Sequence, residues 1–379
     1  MSITVNEVKT KKDLHSFVTF PFQIYRGNNL WVPQLIRDDK EVFNPDKNPA
    51  FEFAESRQFL ATRDGQVVGR IAAILSHIAN QKYQTKNMRF GWFESIDDQA
   101  VANALFDAVA AWARERGMES MTGPHGFCDL DPQGLMVEGF NELPTIAGYY
   151  NPDYYPRLFE GYGLRKEIDY LEFKSTVPYE TGIPEKLLSI CERVKQRGNF
   201  HIIKFGAKRT LIKRWAKELF HLLDDSFEEI YGSVPLSERQ VNYYIKKYFT
   251  FVDKDLIKAV ANEKGEMIGF MITFPSLSRG FQKAKGKLFP FGWFHILRSL
   301  RQHEIIDFYL AGIKKNYRGL GVDLLMVIEI TKTAMAKGFK YAESNQELET
   351  NLKVQAQWKY FNPVQHKRKR IYRQEVGRG

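Results

Sequence analysis

Residues 58–75, QFLATRDGQVVGRIAAIL, alternate apolar and polar positions on either side of Asp64-Gly65, which predicts two strands joined by a tight hairpin turn. Residues 258–274, KAVANEKGEMIGFMITF, repeat the pattern, with Gly265 at the turn and Gly269 in the place of Gly69. A third strand follows each hairpin, FGWFESI near 90–96 and IDFYLAGI near 306–313. Each third strand feeds an amphipathic helix. The first is predicted over 99–116, with Val101, Leu105, Ala108, Val109 and Trp112 on its apolar face. The second is predicted over 321–337, with Leu324, Leu325, Ile328 and Met335. Gly117 and Gly338 close these helices, and a further strand starts after each. The segments LFEGYGLRKEIDYLEF (158–173) and WKYFNPVQHKRKRIYRQEV (358–376) then end both stretches alike, with an aromatic pair, a break and a closing strand. The pattern is a tandem repeat of one α/β (α+β) unit. It predicts domains at 1–177 and 201–379, joined by a Gly- and Pro-punctuated connector with a short helix at 178–200.

With 44% hydrophobic residues, 29 Phe and 18 Tyr, the chain has ample material for two cores, which excludes wholesale disorder. The net charge of +10 is local. Residues 279–303 carry six Lys/Arg and no acid, and residues 365–379 carry six against one Glu. The rest is near neutral, unlike a protein that is basic throughout. Cys128 and Cys191 form neither a disulfide framework nor a CxxC site, and no His/Cys cluster has metal-ligand spacing, so no metal is expected. The first residues lack an apolar leader, and no stretch approaches a membrane span. These features predict a cytoplasmic protein.

The junction between third strand and helix in the second copy reads Lys314-Lys315-Asn316-Tyr317-Arg318-Gly319-Leu320-Gly321-Val322-Asp323. A glycine loop opening a helix presents backbone N–H groups at the positive end of the helix dipole, which suits phosphate oxygens. The alternative is a tight turn with solvated cations. A P-loop is rejected, because Gly280 to Leu288 has the wrong glycine spacing and no Ser or Thr for Mg²⁺. A dinucleotide fingerprint would use Gly319, Gly321 and Glu343, but its third glycine is Leu324 and hairpin strands precede it.

YRGLGV after a strand resembles motif A of the GNAT superfamily of acetyltransferases, [QR]-x-x-G-x-[GA]. The preceding hairpin, the strand FKYAES (339–344), and Asn351 before an aromatic helix and a last strand are similar to that family's order. The first copy resembles a degraded second version. RFGWFESIDD, GPHGF, GLMVEGF and YNPDYY also resemble a group of tandem GNAT-like bacterial proteins of undetermined substrate. The resemblance implies two tandem GNAT-like domains, each a mixed, mostly antiparallel twisted sheet flanked by helices. It implies acetyl-CoA or another acyl-CoA as cosubstrate, bound by Ile313, Arg318, Gly319, Leu320, Gly321, Val322 and Asn351. An N-acyl transfer to a small-molecule or peptide amine follows.

The sequence departs from that family at three places. Asp323 stands where Gly or Ala is usual; it either caps the helix start or opposes the pyrophosphate. The family's general-acid Tyr, seven residues after the Asn, falls at Trp358, with Tyr360 two residues beyond. The first copy's equivalent loop, Ser95 to Ala100, has two carboxylates and no glycine, which predicts no coenzyme A there and a scaffold or substrate-recognition role. Among the acids near the second loop, Glu304, Asp307, Glu343 and Glu349, Glu343 is best placed as a base. Tyr360 is the candidate acid. His125 and His303 read as structural or surface histidines, and HKRKR (366–370) as a solvated edge. The segment 279–303 interleaves cations with aromatics, fitting an anionic membrane surface or nucleic acid. Two other functions stay open: an aminoacyl-tRNA-dependent transferase, and a non-catalytic binding module that kept the fold.

Overall fold

The computed structural model describes residues 2–207, 210–248 and 252–377. In its first half the strands are β1 (Ile3–Glu7), β2 (Ala54–Arg63), β3 (Gln66–Ser76), β4 (Asn87–Ser95), β5 (Ser120–Gly123), β6 (Leu135–Glu138) and β7 (Arg165–Thr176). The second half adds β8 (His201–Ile202), β9 (Ile257–Ala261), β10 (Met267–Pro275), β11 (Ile305–Ile313), β12 (Tyr341–Ser344), β13 (Glu347–Leu348) and β14 (Val364–Glu375). The long helices are Gln99–Glu115 and Val322–Lys337, as the periodicity predicts.

The chain divides into two units that are not contiguous in sequence. One comprises Met1–Leu171, Ser278–Ile296 and His366–Gly379, and the other Glu172–Leu277 and Leu297–Gln365. In the first unit β1 to β4 run antiparallel in succession, and β5 joins β4 in parallel. The next strand is β14, from the far end of the chain, antiparallel to β5 and β6. In the second unit β8 to β11 are antiparallel, β12 is parallel to β11, and the end of β7 closes the order against β12. Both units have mixed, mostly antiparallel sheets flanked by helices.

In each unit the long helix packs on the sheet through a glycine of the second hairpin strand. A Cβ on Gly69 would lie 2.8 Å from Leu105 Cδ1, and one on Gly269 would lie 2.7 Å from Val322 Cγ1. The first core joins Phe59, Ile71, Phe90, Leu105, Phe106 and Phe159 with Tyr372 of β14. The second joins Leu187, Val260, Ile268, Ile306, Leu325 and Ile328. Leu187 and Cys191 lie on the helix Glu185–Gly198, so the segment read as a connector contributes to the second core.

HKRKR is not a solvated edge. Lys367 and Lys369 are fully buried, and Arg368 and Arg370 clasp Asp169 at 3.1 and 2.8 Å. These contacts hold the Asp169 carboxyl below its ordinary range despite its burial. The basic insertion also lies elsewhere than its sequence position implies. Gln282 donates to the carbonyls of Asn29 and Trp31, and Leu35 packs on Ala284 and Ile296, all within the first unit.

Candidate functional site

In both units only the first residues of the third strand pair with its parallel neighbour. Register runs from Asn87 to Arg89 against Ser120 to Thr122 in one, and from Ile305 to Phe308 against Tyr341 to Ser344 in the other. Beyond those residues each pair loses its ladder and a cleft can form. A bulge lies in β4, where the register against β3 passes from Glu94 opposite Arg70 to Gly91 opposite Ala72. The extra residue re-aims side chains locally.

At the end of β11 the glycine loop has its expected backbone. Gly319 and Gly321 are left-handed at φ +78° and +85°, and Gly321 begins the helix Val322–Lys337 with no side-chain cap. That leaves first-turn N–H groups for another acceptor. In the first unit Asp98 caps the matching helix by accepting from Ala100 N at 2.9 Å, and it pairs with Arg63 at 2.6 Å. Asp97 pairs with Arg157. Filled caps and acidic side chains make that loop a poor anion site.

The residues assigned to the second loop lie around it with distinct contacts. Arg318 donates to Glu229 and to the carbonyls of Ser226 and Ile313, while Lys315 meets Glu229 at 2.8 Å. Leu320 is exposed and Val322 is buried in the core. A Cβ on Gly321 would lie 2.7 Å from Val194 Cγ2, so packing and the left-handed backbone both require glycine there. Asn351 caps the helix Leu352–Trp358 by accepting from Val354 N at 3.4 Å. Asp323 accepts from Gln357 Nε2 at 2.6 Å, which turns its carboxylate toward that same helix.

Glu343 is buried on β12, in register with Asp307 of β11 and Lys174 of β7, and its carboxylate lies within 4.8 Å of that of Glu172. The side chain of Tyr360 lies outside the described residues. Trp358 packs on Phe173 and Phe308 and donates its indole N–H to Glu347 at 2.6 Å. Burial pushes the Glu347 carboxyl up to about 7, against the opposing effect of that hydrogen bond. Among acids of the second unit this one, absent from the sequence reading, titrates near neutrality.

A small, water-sized cleft also lies in the first unit, where β4 and β5 part. Arg70, Trp92, Glu94, Tyr149 and Tyr150 are among its lining residues. Glu94 Oε2 accepts from the hydroxyls of Tyr25 and Tyr155, each at 2.7 Å, and Oε1 lies 3.7 Å from Arg70 Nη2. The Tyr155 hydroxyl in turn accepts from Ser95 N at 2.9 Å. Burial raises the Glu94 carboxyl above its ordinary range, although Arg70 and both tyrosines favour the anion. Trp92 sits in the bulge at φ +48°, a region unusual for a bulky side chain. Its indole N–H and the Nε of Arg70 are buried and find no hydrogen-bond partner among the described residues. Burial, and then the charge of Arg89, push His125 down to about 3, so it stays neutral as a structural histidine.

Among the described residues no helix is long and apolar enough to cross a membrane. No protein-family model matches the chain. A bacterial ceramide synthase of Caulobacter vibrioides is 29% identical over 362 residues, covering 92% of this chain and 91% of that protein. Protein YghO of Escherichia coli is 25% identical over 375 residues, covering 97% and 94%. Among solved structures, a tandem GNAT protein from the clavulanic acid biosynthesis pathway is similar with a TM-score of 0.57 at 11% identity, covering 99% of both chains. A GCN5-related N-acetyltransferase from Sphaerobacter thermophilus gives 0.52 at 11% identity, covering 99% and 96%. The chain thus has a tandem GNAT fold.

Proposed function

We propose that this protein is an acyl-CoA-dependent N-acyltransferase that forms an amide on a long-chain amine. The carrying observation is the uncapped helix start behind two left-handed glycines, at the place in the GNAT fold where the cosubstrate's pyrophosphate is held. The backbone from Arg318 to Val322 takes the pyrophosphate, with Ile313 and Asn351 beside the cosubstrate, and the donor is acetyl-CoA or another acyl-CoA. Arg318 and Lys315 already meet Glu229, so an arriving phosphate exchanges for that carboxylate. Neutral amine attacks the thioester carbonyl, the carbon–nitrogen bond forms, and the thiol of coenzyme A leaves with the proton the amine gives up. Glu343 is the base in this scheme and Tyr360 the acid, with Glu347 a further titrating group beside Trp358.

The relative's name supports the amine's class, since a ceramide is the amide of a long-chain amino alcohol. A surface feature agrees with a lipid-like acceptor. Phe289, Phe291, Trp293 and Phe294 are 77%, 69%, 45% and 48% exposed, and Arg279, Lys283, Lys285 and Lys287 beside them are exposed too. Aromatics flanked by cations suit an anionic membrane surface. Such a surface brings the chain to where a long-chain amine resides, and it favours this acceptor over aminoacyl-tRNA.

The test is calorimetric titration with acyl-CoA. Gly319 is left-handed with open space around its Cβ position, so Asn and Asp are both tolerated there. Gly319→Asn should bind acyl-CoA within about threefold of the natural chain, and Gly319→Asp should lose tenfold or more, because like charges within ~4–6 Å repel. Equal affinities for the two variants would remove the loop from the site.

A further inference from the structure

The basic insertion is fastened to the first unit at several points. Ser278 Oγ donates to the Pro144 carbonyl at 2.7 Å, and Ile36 N donates to the Gly286 carbonyl at 3.0 Å. A Cβ on Gly286 would strike the Phe22 ring, so the two segments pack without a gap. Beyond these anchors, residues 289–294 read Phe-Pro-Phe-Gly-Trp-Phe, and the Trp293 indole carries their one polar side-chain atom. Its N–H donates to the Pro290 carbonyl at 2.9 Å. The backbone N–H groups of Trp293, Phe294 and His295 are likewise taken by the carbonyls of Leu288 and Phe291. The tip can therefore leave water without stranding these donors. Leu297 extends its apolar surface, four residues after Trp293 on the helix Gly292–Ser299. Of eleven large hydrophobic side chains exposed among the described residues, five lie within 289–297. Scattered exposed apolar residues are ordinary, but a concentration of them marks a contact surface.

The cations are set apart from that tip. Arg279, Lys283, Lys285 and Lys287 precede it, Arg298 and Arg301 follow it, and all six are exposed. Phe281, the ring that stands among them in sequence, packs on Leu35, Ala284 and Ile296 instead of facing solvent with the others. This segregation decides between anionic partners. A single-stranded nucleic acid is held by rings and cations that meet base and phosphate together. A bilayer presents its phosphates outside its hydrocarbon, which matches an apolar tip flanked by charge. We infer that residues 289–294 and Leu297 enter the boundary between headgroups and acyl chains of an anionic bilayer, with the flanking cations on the lipid phosphates. Docking stands on these residues alone; that the membrane also supplies the acceptor rests on the acyltransferase reading.

The experiment uses the full chain, without acyl-CoA, and vesicles of phosphatidylcholine with phosphatidylglycerol whose acyl chains are plain or brominated. Brominated vesicles should quench tryptophan fluorescence, and plain vesicles should not. Trp293→Phe keeps a ring at the tip, so it should still float with the vesicles while losing most of the quenching. A Lys283→Gln, Lys287→Gln double variant should bind these vesicles about thirtyfold more weakly, from ~1 kcal/mol for each cation. Both lysines are exposed, so native circular dichroism is expected and is checked first. Bound protein without quenching would mean adsorption by charge alone and would overturn the insertion. Equal affinity of the double variant would overturn the role of the cations. Displacement from the vesicles by a single-stranded oligonucleotide in the same salt would assign the surface to nucleic acid instead. Gly319→Asp separates the two readings, since it should lose acyl-CoA and dock like the natural chain.

Discussion

Glu347 keeps its proton to about pH 7 in the folded chain, because its carboxyl is shielded from water and, among the described residues, has only the Trp358 indole as a compensating donor. Unfolded, it would release that proton near 4.5. Its contribution to stability is therefore fully present below about pH 4.5 and is lost as pH rises through about 7. One pKa unit corresponds to about 1.4 kcal/mol, so the full change is about 3 kcal/mol. Glu347→Gln should match the natural chain in urea unfolding near pH 4.5 and exceed its stability at pH 8. Parallel pH profiles for the two proteins would contradict the assignment. Such groups are hidden in a sequence, which records a glutamate but neither its depth nor its neighbours. Glu94 shows only as a lone acid among aromatics in FGWFESI, and its partners Tyr25 and Tyr155 stand 69 and 61 residues away. The glycine loop was legible because its residues are consecutive and its backbone demands are local.

At the scale of elements, the insertion carrying Ser278–Ala284 and Gly292–Ser299 presents a consequence for association. Its aromatics between 289 and 294 project into solvent while Ala284 and Ile296 anchor it. Each Lys or Arg near an anionic bilayer adds about 1 kcal/mol of attraction. The natural chain should co-sediment with vesicles containing phosphatidylserine and remain in solution with neutral phosphatidylcholine. A Phe291→Ser, Trp293→Ser double variant should lose most of that binding without loss of fold, since both rings are exposed. Equal sedimentation of variant and natural chain would exclude the insertion as the contact. Alternation and glycine placement made the hairpins and long helices readable, because their period is a local property. The same approach failed at HKRKR. Four successive cations look solvated until Asp169, 199 residues from Arg368, is placed between them.

At the scale of the molecule, the repeat was visible in sequence but the crossing of segments between the units was not. Closing strands look alike in both copies, and nothing local in β7 or β14 says which sheet each completes. The first unit draws Tyr372 and Val376 into its core, and Tyr372 to Glu375 pair with β5. Residues 1–177 alone therefore lack a strand and two core side chains. That fragment should show neither a cooperative urea transition nor near-ultraviolet circular dichroism, and a cooperative transition would contradict the arrangement. The same feature sets an order of events on the ribosome. Residues 1–177 leave the exit tunnel well before β14, yet their sheet waits for that strand. At about 5–20 residues per second, roughly 200 intervening residues impose a delay of about 10–40 s. During that interval β5 offers an unpaired edge, and nascent-chain chaperones have their longest access to this protein before release.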